Sequence, residues 1–238
     1  MALQLLASLA LLSVPALAHG GLANYTVGDT WYRGYDPNLP PETQLNQTWM
    51  IQRQWVTIDP IFTVSEPYLA CNNPGAPPPS YIPIRAGDNI TAVYWYWLHA
   101  IGPMSVWLAR CGDTPAADCR DVDVNRGLWY QKDFQRWDGS PSLWPVTIPK
   151  GLKSGTYIIR HEILSLHVPL KPQFHPECAH LNITGGGDLL PSEETLVRFP
   201  GVYEEDDPSI FIDVYSEENA NRTDYTVPGG PIWEGFAN

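Results

Sequence analysis

The sequence has few basic residues and, beyond its N-terminus, no long apolar run. Its 14 Lys and Arg stand against 26 Asp and Glu, which gives a formal net charge of −12. This excess of negative charge repels phosphate groups, so it argues against nucleic acid or an anionic membrane as a partner. No later segment approaches the about 20 apolar residues that a membrane-spanning helix needs. We therefore expect a protein that binds neither nucleic acid nor membranes, and the charge is compatible with a neutral substrate.

Helical periodicity is also missing from the sequence. Short runs of aromatic and β-branched residues, separated by turns, predict strands instead. These strands are Tyr81–Arg85, Ile90–Leu98, Met104–Ala109, Trp129–Phe134, Trp144–Ile148, Thr156–His167 and Cys178–Thr184, with shorter candidates at Trp55–Ile58, Leu196–Phe199 and Ile210–Tyr215. Many short strands without a repeat or linker indicate one all-β domain, an immunoglobulin-like antiparallel β-sandwich with long loops. Residues 19–45 are turn-rich and aromatic and contain no predicted strand, and Gly34-Tyr35-Asp36-Pro37 is predicted to be a surface loop.

The four cysteines have no C-x-x-C spacing, which argues against a zinc site. They fit two disulfides in an oxidising compartment, with three pairings possible. The short spacing of Cys111 and Cys119 favours a bond within one loop, which leaves Cys71 with Cys178. Closing that long loop is worth roughly 4–5 kcal/mol in the chain-entropy description.

The N-terminus has the pattern of a secretory signal peptide. An apolar run from Leu3 to Leu12 precedes Ala16-Leu17-Ala18, and cleavage after Ala18 removes residues 1–18 and leaves 19–238 as a secreted, extracellular domain. Other cuts are imaginable, for example after Ala16, and the first residues lack Lys and Arg. Five N-x-S/T sequons suit a secretory route and are candidate glycosylation sites: Asn24, Asn46, Asn89, Asn182 and Asn221.

Cleavage after Ala18 makes His19 the first residue of the mature chain. An N-terminal His offers two nitrogens, its α-amine and its ring Nδ1, which together chelate a metal. A third nitrogen from another His completes a T-shaped site suited to copper. The simpler interpretation is that His19 stands where the cut happens to fall.

The remaining histidines differ in what they indicate. His161-Glu162 is not a metalloprotease motif, because H-E-x-x-H requires His where Ser165 stands and the segment is predicted to be a strand. His99 ends an aromatic strand just before a Gly-Pro turn, where a rigid sandwich presents ligands on loops. His180 stays unassigned.

A second polar group lies near the last predicted strand. Gln173 and His175 are two residues apart, so on an extended segment they face the same way. Cys178 tethers that segment, and His167 precedes it by a short loop that contains Pro. These side chains are expected to converge on one site, unless they are hydrogen-bonded surface residues.

Taken together, these residues resemble a known family. His19, His99-Ala-Ile-Gly-Pro103, the segment from Arg160 to His167, and Gln173-Phe-His-Pro-Glu-Cys178 are similar to fungal lytic polysaccharide monooxygenases of auxiliary activity family nine. Further matching segments are Cys71-Asn72, Phe199-Pro-Gly-Val-Tyr203 and the tail from Tyr225 to Pro231. The resemblance spans almost the whole mature chain.

The resemblance implies a flat face with one copper per chain, held by His19 and His99. The copper would use O2 or H2O2 as co-substrate and an external electron donor, and oxidise C1 or C4 of the links in cellulose or a related β-1,4-glucan. His167 and Gln173 match the pair that hydrogen-bonds the bound oxygen. Tyr225 and Tyr25, with the other aromatic residues of 25–35, are candidates for the substrate face. The protein is expected to be a monomer.

One position departs from the family pattern. Where the family places an axial Tyr, this sequence has His175. An imidazole is a stronger nitrogen ligand than a distant phenol, so His175 is a third candidate copper ligand. The substitution also leaves a rival function open: a related sandwich that binds copper or glucan without oxidising it. A hydrolase would need a positioned carboxylate pair, and no such pair is identified.

Overall fold

The computed structural model describes residues 20–36, 39–44, 47–94, 101–112, 118–121, 129–136 (backbone) and 143–233. The strands in this part of the chain are β1 Leu22–Val27, β2 Thr30–Arg33, β3 Ile82–Arg85, β4 Asn89–Tyr94, β5 Pro103–Arg110, β6 Trp129–Arg136, β7 Leu143–Thr147, β8 Gly155–Ser165 and β9 Gln173–Thr184. Short 3-10 helices span Pro41–Thr43, Pro67–Leu69, Cys119–Asp121 and Glu193–Thr195. No helix among the described residues has the length and hydrophobicity that a membrane crossing requires.

The strands form two sheets, which confirms the predicted β-sandwich. One sheet has four strands in the order β2-β1-β4-β7, and the other has five in the order β3-β9-β8-β5-β6. All strand pairs are antiparallel except β3 with β9, which run parallel. The parallel pair is possible because the long stretch of chain that includes β4 to β8, rather than a hairpin, joins β3 to β9.

The main core lies between the two sheets. Strand β4 alternates between exposed or half-buried and buried positions, so its inward residues, including Ile90 and Tyr94, pack against the opposite sheet. Strand β8 is buried almost throughout, because a second apolar cluster that includes Trp107 and Phe199 covers the outer side of the five-stranded sheet. Both sides of β8 and of β9 up to Leu181 are therefore largely protected from water.

Several predicted boundaries were wrong. Strands β1 and β2 lie in the turn-rich region 19–45, where no strand was predicted, because pairing with β4 stabilises a segment whose residues favour turns. Strand β9 begins at Gln173, five residues earlier than predicted, even though it contains Pro176. The three shorter candidates form no strands, and Trp55 makes an isolated bridge to Pro74.

Both disulfides join the pairs named from the sequence. Cys71 is bonded to Cys178, which ties the loop after the second 3-10 helix to the middle of β9. Cys111 is bonded to Cys119, which closes the short segment after β5. The longer link holds the 47–80 region against the strand that carries Gln173 and His175.

Candidate metal centre

The two principal candidate ligands, His19 and His99, lie outside the described residues, as does the sequon residue Asn46. The chain that flanks them is described. Leu22, at the start of β1, pairs with Tyr94, the last described residue before the segment that contains His99. The chain resumes at Ile101, whose carbonyl accepts a hydrogen bond from the Leu166 amide at 3.0 Å. The flanks of both segments are therefore anchored to the same end of the sandwich.

Two buried side chains hold the start of β1. Gln52 is fully buried, and its Nε2 donates to the Leu22 carbonyl at 2.7 Å. The Leu22 amide donates to the Glu177 carboxyl group. Gly21 packs so closely that a Cβ there would lie 3.2 Å from the Trp55 ring and 3.4 Å from Glu177 Oε1. Gly21 is thus held by close packing, and Leu22 by hydrogen bonds at both its carbonyl and its amide.

Three candidate residues lie at one end of the β8–β9 pair. Gln173 and His175 point to the same side of β9, and both are buried. Gln173 is the register partner of Ser165, whose hydroxyl lies 2.7 Å from His167 Nδ1. The strand register therefore brings His167, Gln173 and His175 together.

The amide oxygen of the Gln173 side chain is a buried hydrogen-bond acceptor. Among the described residues, this Oε1 atom has no hydrogen-bond partner. A buried carbonyl oxygen without a donor costs free energy, so such atoms commonly serve a ligand. This orphaned atom fits a bound oxygen species or water beside a metal. The described residues alone hold no group of three His, Cys, Asp or Glu side chains suited to a metal, so a complete site needs ligands from the segments outside them.

The two residues of the rejected metalloprotease motif, His161 and Glu162, lie on opposite faces of the sheet. His161 points inward, where its Nδ1 lies 3.1 Å from the Tyr25 hydroxyl, and burial lowers the pKa of His161 to about 3. Glu162 points outward to Arg160 and Tyr203. The two motif residues therefore cannot act on one metal. His180 is also buried, and burial lowers its pKa to about 2.

A buried ion pair braces β8 from the outer side. Arg160 and Glu162 are paired at almost zero exposure, and the Tyr203 hydroxyl donates to Glu162 Oε1 at 2.5 Å. Arg160 also donates to the carbonyl of Ala70 at 2.9 Å and lies 3.8 Å from the centre of the Phe199 ring. This network joins the disulfide loop, β8 and the F-P-G-V-Y segment.

The two substrate-face candidates differ in position. Tyr25 is fully buried between the sheets, so its assignment to a substrate face was wrong; its hydroxyl satisfies the buried His161 ring instead. Tyr225 is half-buried and donates to the Ser209 carbonyl at 2.8 Å. It lines a small cavity with Ile101 and Leu166, at the end of the sandwich that holds His167.

The sequence matches Auxiliary Activity family 9 (formerly GH61) over residues 19–225. The chain belongs to this family. It is 36% identical to AA9 family lytic polysaccharide monooxygenase B of Heterobasidion irregulare, over 97% of this chain and 98% of that protein.

Solved structures agree with this assignment. The crystal structure of HiLPMO9B is 34% identical and superposes with a TM-score of 0.79, covering 90% of this chain and 99% of its own. A cellulose-active polysaccharide monooxygenase from M. thermophila is 29% identical, with a TM-score of 0.79 over 90% of this chain and 99% of its own. The sandwich is therefore the fold of the AA9 family.

The sequence analysis missed the residues that hold the framework of the site. Gln52 lies in a segment without strand periodicity, and its role depends on contacts with residues far away in the chain. Glu177 was more accessible to prediction, because it continues the alternation of Gln173 and His175 along one face of β9. A polar residue at the next inward position was a signal that the face carries a site rather than core.

Proposed function

We propose that this AA9 protein is a secreted, copper-dependent lytic polysaccharide monooxygenase that acts on cellulose or a related β-1,4-glucan. One observation carries the proposal. The β8–β9 register brings His167 close to Gln173, and the neighbouring Leu166 binds Ile101, next to the segment that contains His99. Family membership over residues 19–225 supports the same conclusion.

His19 and His99 would hold one copper ion, His19 through its α-amine and ring and His99 through its ring. When bound, copper supplies the one-electron chemistry that activates O2 or H2O2, with electrons from an external donor. The clamp on Leu22 by Gln52 and Glu177 supports this arrangement, because it fixes the chain three residues beyond the proposed N-terminus.

His167 and Gln173 would orient the oxygen co-substrate. Ser165 positions the His167 ring through its Nδ1, and the imidazole would exchange a proton with the co-substrate. Gln173 Oε1 is the buried acceptor available for a water or a protonated oxygen. Both roles need a fixed geometry, which the β8–β9 register supplies.

His175 would be a third residue that holds the copper, through its imidazole. It shares a face with Gln173 and is buried at 3% exposure, so its imidazole sits in a preorganised rather than a mobile position. An imidazole is a stronger copper ligand than the phenol expected at this position, so this residue also supports the second candidate function, a family member that binds copper or glucan with little oxidation.

The substrate would lie across the end of the sandwich that includes Tyr225. This residue borders a surface groove of about 560 Å³. The groove is lined by Asp207, Pro208, Ser209, Arg222 and the segment 225–231. A mainly apolar groove with a few polar side chains and an aromatic residue on its border suits a neutral glucan chain, whose sugar rings have apolar faces.

The test is incubation of copper-loaded mature protein with cellulose and a reductant, followed by mass spectrometry of the released sugars. Oxidised oligosaccharides that vanish on copper removal and in His99→Ala support the monooxygenase, and their masses assign C1 or C4 oxidation. Copper and cellulose binding without oxidised products would favour the second candidate.

A further inference from the structure

An exposed aromatic residue stands out on the outer face of the four-stranded sheet. Trp31, on the edge strand β2, is 64% exposed, which is unusual for a ring of this size on a folded surface. It lies on the flank of the sandwich rather than at the end that holds the candidate metal centre. Its register partner Thr26 is four residues along β1 from Leu22, a distance of about 13 Å in an extended strand.

The strand register places a glycosylation sequon next to this ring. Asn24-Tyr25-Thr26 forms the sequon, and Asn24 and Thr26 point to the outer face because Tyr25 between them points into the core. Thr26 pairs with Trp31, and Asn24 pairs with Arg33. Trp31 is therefore the diagonal cross-strand neighbour of Asn24, at about 7–8 Å between Cα atoms.

Trp31 is not the only side chain near Asn24 that a sugar ring can contact. The Arg33 guanidinium, opposite Asn24, lies 4.8 Å from the centre of the Trp49 ring, which is itself 39% exposed. On the other side of Asn24 stands Val93, which is half-buried. A sugar attached to the Asn24 amide begins between these groups, with the apolar face of its ring able to cover the indole of Trp31.

We propose that Asn24 carries an N-linked glycan whose first N-acetylhexosamine packs against Trp31. The glycan is transferred from a lipid-linked oligosaccharide diphosphate in the secretory pathway. A bond forms between Asn24 Nδ2 and the anomeric C1 of the sugar, the C1–oxygen bond to the diphosphate breaks, the lipid diphosphate leaves, and the amide loses one proton. No oxidation or reduction is involved.

The other sequons make useful comparisons. Asn89 lies on the same face, but it is on β4, two strands from Trp31, and its Oδ1 accepts a hydrogen bond from Thr147 at 2.6 Å. Asn182 is exposed on β9, in the other sheet. Trp31 is thus positioned to contact a glycan at Asn24 and not one at Asn89 or Asn182.

The first measurement is site occupancy. The inference rests on the secretion that forms part of the proposed function, so the full chain is secreted from a eukaryotic host and its peptides are mapped by mass spectrometry before and after enzymatic removal of N-glycans. A glycan on Asn24 is expected. An unmodified Asn24 overturns the proposal, whether or not Asn182 is occupied; occupancy of Asn182 shows that the chain passed the glycosylating compartment, and glucan oxidation is assayed separately.

The second measurement tests the contact with Trp31. We expect Trp31→Ala to lower the melting temperature of the glycosylated protein by about 2–4 °C, and to have little effect when Thr26→Ala has removed the sequon. Thr184→Ala, which removes the Asn182 sequon in the other sheet, is the matched control and should leave the effect of Trp31→Ala unchanged. An equal effect with and without the Asn24 glycan, or concentration-dependent dimerisation through this face, overturns the proposal.

Discussion

At the scale of single residues, the candidate centre depends on side chains that satisfy buried backbone groups. Gln52 bonds both the Leu22 carbonyl and, through Oε1, the Tyr35 amide at 2.8 Å. Its removal leaves two backbone groups without partners in a region closed to water. Gln52 is therefore important to the site, although it is far in sequence from every candidate ligand.

Gln52→Leu is predicted to lower the free energy of unfolding by about 2–4 kcal/mol and to weaken copper binding, because both of its backbone partners lose their bonds. Chemical denaturation and copper titration measure the two effects. Gln47→Leu is the control, since Gln47 is only half-buried and makes one long bond of 3.4 Å to the Thr43 carbonyl. Similar losses in both variants would contradict the clamp.

His175→Tyr tests the axial position directly. If the imidazole coordinates, the paramagnetic resonance spectrum of the copper-loaded protein contains more nitrogen coupling than three nitrogens give, and the substitution removes the excess. The same change is expected to raise oxidative turnover, because a phenol is a weaker axial ligand. A spectrum that does not respond to the substitution would show that His175 is turned away from the axis.

Side-chain direction was predictable where the period of a strand sets it, and unpredictable where burial of a polar aromatic decides it. Gln173 and His175 share a face because they are two residues apart on a strand. Tyr25 was assigned to the surface, but its hydroxyl finds the ring of His161, a residue 136 positions away. A contact at that separation is fixed by topology, and no local pattern contains it.

At the scale of elements, β8 is the strand that connects the two halves of the structure. Its inward residues reach the core between the sheets, and its outward residues form the Arg160–Glu162 pair that holds the disulfide loop. A charged pair in such a place is stable only with every partner present, because each charge has lost its water. The pair therefore ties the arrangement of β8 to the loops packed on it.

Glu162→Gln is predicted to destabilise the protein by about 3–5 kcal/mol, since it leaves the fully buried Arg160 without its counter-charge. Thermal or chemical unfolding measures the loss. Tyr203→Phe is the matched variant: it removes only the hydroxyl that bonds Glu162, and a loss of about 1–3 kcal/mol is expected. Equal losses in the two variants would contradict the dominant role of the charge.

The element boundaries reveal which strands sequence patterns can identify. Strands β4 to β8 were found because their aromatic and β-branched residues alternate or run continuously between clear turns. Strands β1 and β2 were missed, since Asn24, Gly28 and Asp29 are typical of turns and the hairpin is held by its pairing with β4. Tertiary pairing overrides propensity in such short strands.

At the scale of the whole molecule, stability depends on pH through groups that are buried without charge. Burial lowers the pKa of His161 from 6.5 to about 3, so the folded state disfavours its protonation. The unfolded chain then binds the proton more readily than the folded protein at any pH between these values. Stability from this residue is complete above pH 6.5 and is lost as the pH falls through about 3.

His161→Gln is predicted to reduce this dependence. Between pH 6.5 and about 3, the free energy of unfolding of the wild type should fall relative to that of the variant, by up to about 1.4 kcal/mol per pH unit. Glu177, whose pKa is raised by burial, is common to both proteins and acts in the opposite direction. Parallel stability curves for the two proteins would show that His161 does not contribute.

The most direct test of the central claim compares copper binding by two forms of the chain. One begins at His19, and the other carries a single additional residue before it, which converts the α-amine into a peptide nitrogen. We predict one tightly bound copper per chain in the first form and a loss of most of the affinity in the second, measured by calorimetry on the metal-free proteins. Equal affinity in the two forms would contradict a copper site built on the N-terminal histidine.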